Sequence, residues 1–244
     1  MKISGNTILI TGGATGIGLA LTEALVSRGN EVIVCGRRRG RLAAARARLP
    51  QVHVRVCDVS KPAARRALVN WALARFPRLN MLVNNAGVQW PVDFRRGARD
   101  LAQADEELAT NLAAPIHLSA LLIPHLMRRK TAAIVNISSG LGFTPLAAVP
   151  VYSATKAGIH SLSLSMRRQL RDTTVRVFEV APPIVRTDLA GGRRRPDEAE
   201  YTMTAGQVAA GVINAVQHDQ YEVPLGAAAN LHSKLDALFS AIND

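Results

Sequence analysis

At 244 residues, with 48% hydrophobic and 20% charged side chains, the chain has the balance of a soluble globular protein with a large apolar interior. No apolar run approaches the ~20 residues that cross a bilayer, which argues against a membrane-spanning role. A net charge of +12 raises nucleic acid as a partner, yet the arginines are scattered over helix faces and loops, and 4% aromatic residues leave few platforms for stacking bases. The expectation is a basic solvated surface with no nucleic-acid and no membrane partner. Cys35 and Cys57 both sit in apolar runs and cannot build a disulfide framework. Met1 to Asn6 lead into an apolar run without a small-residue cleavage pattern, so cytoplasmic residence is expected.

In chain order, residues 7–10 read as a buried strand, followed by a glycine-rich turn and a helix over about 17–27. A strand over 31–35 and an Ala/Arg/Leu helix over about 40–49 come next, then a strand over 52–56 and a helix opened by Pro62. The fourth strand is 81–83. A long helical stretch follows over about 101–129, in which Pro115 and Pro124 should kink the helix or end turns. A fifth strand covers 133–137, a helix 153–171 and a sixth strand 175–180. The polar segment 188–204 breaks the rhythm and reads as a mobile substrate loop. A helix near 205–217, a short strand near 221–223 and a final helix over about 229–241 complete the pattern. Apolar strands alternating with helical crossovers predict an α/β fold: a doubly wound, mostly parallel, Rossmann-like sheet, with residues 1–244 as a single domain. Ligands then bind at the carboxyl ends of the strands.

Residues 11–18, Thr-Gly-Gly-Ala-Thr-Gly-Ile-Gly, join the first strand to the first helix. Gly12 permits a tight turn, Gly16 lets backbone approach a phosphate, and Gly18 allows close helix–strand packing, with Thr15 and Ile17 between them. Backbone N–H groups at the helix start then face an anion. The second strand ends at Cys35-Gly36-Arg37-Arg38, without the acidic residue that would take the ribose hydroxyls of NAD. Arg37 and Arg38 can instead clamp a 2′-phosphate, which favours NADP(H) over NAD(H); the alternative is plain surface charge. Asp58 is placed for an adenine amine. Its rival role is helix capping, for which Ser60 is the better candidate.

Tyr152 and Lys156 are four apart on one helix face. A phenol with pKa near ~10 needs help to exchange a proton at neutral pH, and a neighbouring ammonium together with an oxidised nicotinamide can supply it. Ser139 follows the fifth strand and can hold a substrate oxygen against Tyr152. Asn111 lies within the long helix, where its amide and a freed carbonyl can order a relay water.

With these residues in place the chain resembles the short-chain dehydrogenase/reductase family over nearly its whole length. The shared set is the glycine turn of residues 11–18, Asp58-Val59, Asn84-Asn85-Ala86-Gly87, Asn111, Ser139, Tyr152 and Lys156. The resemblance implies a catalytic tetrad of Asn111, Ser139, Tyr152 and Lys156, with Lys156 also on the nicotinamide ribose, Asn85 by the cofactor and Asn84 bracing the sheet. It also implies a homo-oligomer, dimer or tetramer, through the long helices around 101–129 and 153–171. One departure is Pro182-Pro183 where the family has Pro-Gly. It fixes φ and removes one donor, leaving the Val185 N–H and the Thr187 hydroxyl to anchor the carboxamide. This variant, with residues 139–146, is similar to a bacterial branch labelled by association with D-alanine esterification of lipoteichoic acid, a label that names no substrate.

Trp90, Leu141, Phe143, Leu146 and Leu189 offer an apolar wall for a small-molecule substrate, with ordinary packing as the rival role. The expected reaction is hydride transfer between nicotinamide and a carbonyl or alcohol carbon of a moderately hydrophobic molecule. Imine reduction uses the same site. A non-catalytic dinucleotide sensor is the alternative from another class. No metal site is expected.

Overall fold

The computed structural model describes residues 1–189 and 202–234. The strands are β1 (Thr7–Thr11), β2 (Glu31–Gly36), β3 (His53–Val56), β4 (Leu79–Asn84), β5 (Ala132–Ile137), β6 (Val175–Ala181), β7 (Ile184–Arg186), β8 (Thr202–Thr204) and β9 (Glu222–Pro224). The helices are α1 (Gly16–Val26), α2 (Arg39–Arg48), α3 (Pro62–Arg75), α4 (Leu101–Glu107), α5 (Ala114–Leu126), α6 (Pro150–Gln169), α7 (Ala205–Gln217) and α8 (Ala228–Lys234). Seven strands form one parallel sheet in the order β3-β2-β1-β4-β5-β6-β9. The expected doubly wound Rossmann-like sheet is the fold.

Strand periodicity explains the layers. In β1, Ile8 and Ile10 pack with Leu21 and Leu25 of α1 and with Val212 and Ile213 of α7. Leu9 between them points to the opposite face, toward Leu68 of α3 and Leu118 and Leu122 of α5. Both faces are covered, which is why these strands read as continuous apolar runs. Each such side chain, fully buried, contributes roughly 1.5–3 kcal/mol of transfer free energy.

One connected set of polar residues crosses this core. Asn84 donates to Asn136 (2.9 Å) and Ser119 (3.3 Å), and Asn136 donates to Ser163 (2.9 Å), tying β4 and β5 to α5 and α6. Asn84 therefore braces the sheet from its centre. The strand order reverses between β1 and β4, so their carboxyl ends diverge and open a crevice there.

Four local readings change. Thr202–Thr204 is a strand, paired in parallel with Ile184–Arg186, so the 188–204 segment ends in regular structure; its residues 190–201 lie outside the described residues. Thr204 then caps α7 in a reciprocal capping box with Gln207. The long helical stretch is α4, a π-helical turn over Leu108–Ala113, and α5. Pro115 has no N–H to offer the carbonyl of Asn111 four residues earlier, so the regular ladder cannot be kept at that point. Helix α6 starts at Pro150, a proline suited to a first turn, which puts Tyr152 in that turn. Finally, Lys61 rather than Ser60 occupies the cap position of α3, with no side-chain cap bond. The end of the expected final helix, beyond Lys234, also lies outside the described residues.

Candidate active site

The glycine turn lies at the carboxyl end of β1, beside the end of β4. Gly12 has φ 67°, a left-handed conformation that a side chain disfavours. A methyl built on Gly18 would meet the Gly12 carbonyl oxygen at 2.2 Å and Asn85 Nδ2 at 2.5 Å, so α1 packs directly on the turn. Asn85 Nδ2 donates to the Thr11 and Gly12 carbonyls (2.9 and 3.4 Å), while Thr11 Oγ1 accepts from the Asn85 and Ala86 N–H groups (3.0 Å each). Thr15 is the N-cap residue of α1 but supplies no side-chain cap, and the first turn carries no acidic residue. That helix start, with Gly16 and Ile17 in its first turn, suits an anion. Thr187, just past β7, approaches it: a methyl on Gly16 would lie 3.0 Å from Thr187 Cγ2. Val185 sits within β7, in register with Met203 of β8.

At the adjacent end of β2 the two arginines differ. Arg38 donates to Thr15 Oγ1 at 3.3 Å, directly beside the turn. Arg37 is ion-paired with Glu106 of α4. Asp58, past β3, accepts from the Ser60 N–H (3.0 Å) and hydroxyl (2.8 Å) through Oδ1 alone. Asp58 therefore shapes the turn into α3.

The four tetrad candidates converge from three elements. Tyr152 and Lys156 are both buried on α6, and the Lys156 Nζ lies 5.5 Å from the Tyr152 ring centre. Lys156 Nζ donates to the Ile137 carbonyl at 2.8 Å, which fixes it under the end of β5. Ser139, two residues past β5, lies near enough to the Tyr152 phenol to oppose the rise in its pKa, and its Oγ accepts from the Leu141 N–H at 3.2 Å. Asn111 sits in the π turn and is 1% exposed, so it is no surface residue. It exchanges two bonds with the Val88 main chain (2.8 and 2.9 Å) and donates to Thr155 of α6 (3.3 Å). Gly87 lies between the groups: a methyl there would be 3.5 Å from Asn111 Oδ1 and 4.0 Å from Lys156 Nζ.

Electrostatics depart from the simple expectation of an ammonium acidifying a phenol. Burial pushes Tyr152 up to about 12; the Ser139 side chain opposes this and the charge of Glu107 adds to it. Burial also pushes Lys156 down to about 8, against the pull of Glu179. In this environment the phenol is firmly protonated, the form of a general acid.

The expected apolar wall is only partly assembled. Trp90 and Leu189 are 38% and 39% exposed, and Leu141 and Leu146 are half-buried. Phe143 is committed elsewhere: its ring meets His160 and His232 edge-on at 5.0 and 4.6 Å. Three further residues matter that the sequence reading passed over. Thr11 and Thr155 anchor Asn85 and Asn111, as above. Glu107 is fully buried four residues before Asn111, and that helical spacing was the available signal.

The short chain dehydrogenase family model matches residues 6–198. The chain is 54% identical over 189 residues to the uncharacterized oxidoreductase DltE of Bacillus subtilis, covering 78% of this chain and 75% of that one. It is 30% identical over 199 residues to the NADP-dependent 3-hydroxy acid dehydrogenase YdfG of Shigella flexneri, covering 81% and 80%. A crystal structure of a short chain dehydrogenase from Burkholderia cenocepacia in complex with NADP superimposes with a TM-score of 0.85 at 25% identity, over 99% of both chains. A parallel sheet with its glycine turn at the strand reversal, matched over most of its length by that family model, is thereby placed: the chain belongs to the short-chain dehydrogenase family and is an oxidoreductase of that family.

Proposed function

We propose that the protein is an NADP(H)-dependent oxidoreductase that interconverts a carbonyl and an alcohol on a moderately hydrophobic small molecule. One observation carries this reading: a buried phenol, with Ser139 beside it and Lys156 one turn away, stands at the sheet edge that also bears the glycine turn. The residues fit a dinucleotide. The turn is a cradle that a side chain at Gly18 would fill, and the open start of α1 suits a pyrophosphate. Gly12, Thr15, Gly16, Ile17 and Asn85 would line it, with Arg38 and Arg37 on the 2′-phosphate and Asp58 Oδ2 on the adenine. Val185 and Thr187 would take the carboxamide and Lys156 the nicotinamide ribose. When bound, the cofactor supplies or accepts hydride.

The chain's own part is proton transfer and orientation. Ser139 holds the substrate oxygen, Tyr152 Oη gives it a proton as alkoxide character develops, and Lys156 with Asn111 leads a replacement proton in from solvent. Reduction is the direction for which a phenol near 12 is already set. The NADP complex of the Burkholderia relative and the NADP dependence of YdfG support the choice of cofactor. The test is loss of NADPH absorbance against ketones, aldehydes and cyclic imines graded by apolar size. Turnover of a carbonyl substrate is expected. NADPH binding with no carbonyl turned over would instead favour a sensor, and imines alone an imine reductase.

We also propose a cytoplasmic homo-oligomer; among the described residues no helix is long and apolar enough to cross a membrane. Ile116 and Leu121 on α5, Met127 just after it and Leu164 on α6 are 38–46% exposed, leaving apolar side chains uncovered on the two long helices. Light scattering should report two or four chains, and Leu121→Lys with Leu164→Lys should reduce the mass to one chain. An unchanged mass would place the interface elsewhere.

A further inference from the structure

Glu107 ends α4 one turn ahead of Asn111 and is 0% exposed. Its Oε1 accepts the Trp90 N–H at 2.6 Å, while the equally buried Oε2 has no hydrogen-bond partner. Holding one N–H needs only an amide oxygen; a carboxyl with an orphaned oxygen is a costly way to do it. Charged and titratable groups surround it unevenly. On its own helix Glu106 is taken by Arg37, and Asp100 at the helix start lies 3.5 Å from Arg96. Asp93, in the preceding segment, is held by Arg95. Across on α6 are Tyr152 and, one turn on, Lys156. Burial pushes Glu107 up to about 7, helped by Glu106 and opposed by the Trp90 N–H. Its charge in turn raises Tyr152.

We infer that Glu107 is a positioning residue for the reaction proposed above: its carboxyl fixes the Trp90 segment through the main chain, and its charge state sets how readily Tyr152 releases its proton. This rests on Tyr152 being the acid. When Glu107 is neutral, negative charge developing on the phenol during reduction meets no anion. When Glu107 is ionised, proton release from Tyr152 creates a second buried anion beside the first. Reduction therefore slows as pH rises through about 7, far below the range in which the phenol itself ionises.

The test compares kcat/KM for carbonyl reduction against pH in wild type, Glu107→Gln and Glu107→Asp. Wild type should fall about threefold from the acid to the alkaline side of this transition, Glu107→Asp should retain an inflection, and Glu107→Gln should be flat. The amide variant keeps the acceptor for Trp90 and should overtake wild type at alkaline pH, which loss of a structural contact would not produce. A second readout needs no substrate: an infrared carboxylic-acid band that titrates near neutrality in wild type and is missing in Glu107→Gln. Thermal stability should follow the same sign. The folded value lies above the ordinary carboxyl value of 4.5, so the stability of wild type relative to Glu107→Gln is greatest below that value and is lost as pH rises through about 7. Superimposable pH profiles for wild type and Glu107→Gln would overturn the inference. So would a wild type lacking any titrating carboxyl band, should the amide variant not fold. If Tyr152→Phe keeps full activity, the reading of Tyr152 fails first, and the infrared band still reports separately on Glu107.

Discussion

Replacing Tyr152 by phenylalanine lowers carbonyl reduction by about a thousandfold and leaves NADPH binding within a few-fold, as single-turnover kinetics and fluorescence titration would read it. The substitution removes one oxygen from a ring that is 7% exposed, so packing and the fold should survive. What disappears is the proton donor. No other donor stands in its place, because the phenol is buried and its oxygen is the group that meets the developing alkoxide. Substrate KM should change less than kcat, since the lost interaction strengthens as the alkoxide forms. Activity retained in this variant would move the acid to another residue and remove the basis for the proposed reaction.

The ionisation order in this site bears on that result. Glu107 near 7 changes charge first, Lys156 near 8 next and Tyr152 near 12 last. Each is displaced mainly by burial, carboxyl and phenol upward and amine downward, as desolvation of charged forms requires. Below about 7 the three are in the states that favour reduction: neutral carboxyl, ammonium and phenol. For the proposed reaction the acid side is therefore the reductive side. The oxidative direction needs phenolate character, which a positive oxidised nicotinamide would favour when bound.

The sequence made some of this legible and hid the rest for physical reasons. Strands such as 7–11 and 132–137 announce themselves because both faces are buried, so every residue in them except Asn136 is apolar or small. The glycine turn is legible because close packing at Gly18 admits no side chain. Pro115 signals a disturbed helix, although the π register that carries Asn111 is set by packing that no local signal reveals. Contacts between distant segments left no local mark: β8 pairs with β7 across residues 190–201, and Phe143 meets a histidine from α8. Residue spacing showed Lys156 one turn from Tyr152, but not that burial raises the phenol. In the sequence Glu106 and Glu107 are adjacent acidic residues with nothing local to tell them apart. Only the fold separates them, sending one to Arg37 and the other into the core.

That separation also ranks the two arginines of the proposed phosphate clamp. Arg38→Ala should weaken NADPH by about thirtyfold while changing NADH by less than about threefold, because a charge-assisted bond to a phosphate is lost only where the phosphate exists. Arg37→Ala should produce a smaller loss, about threefold to fivefold, since Arg37 must first leave Glu106. The side chains of that pair are 47% and 31% exposed, so breaking it costs little and Arg37 remains available, though not prepaired. Arg38 already lies beside Thr15 at the turn. Glu106→Gln releases Arg37 and should tighten NADPH slightly without affecting NADH. Dissociation constants for both nucleotides at two ionic strengths decide the matter, with the NADPH-specific losses shrinking at higher salt. Equal losses for NADPH and NADH in Arg38→Ala would mean that the arginine supports the turn rather than reading the phosphate, and the preference for NADP(H) would lose its structural basis.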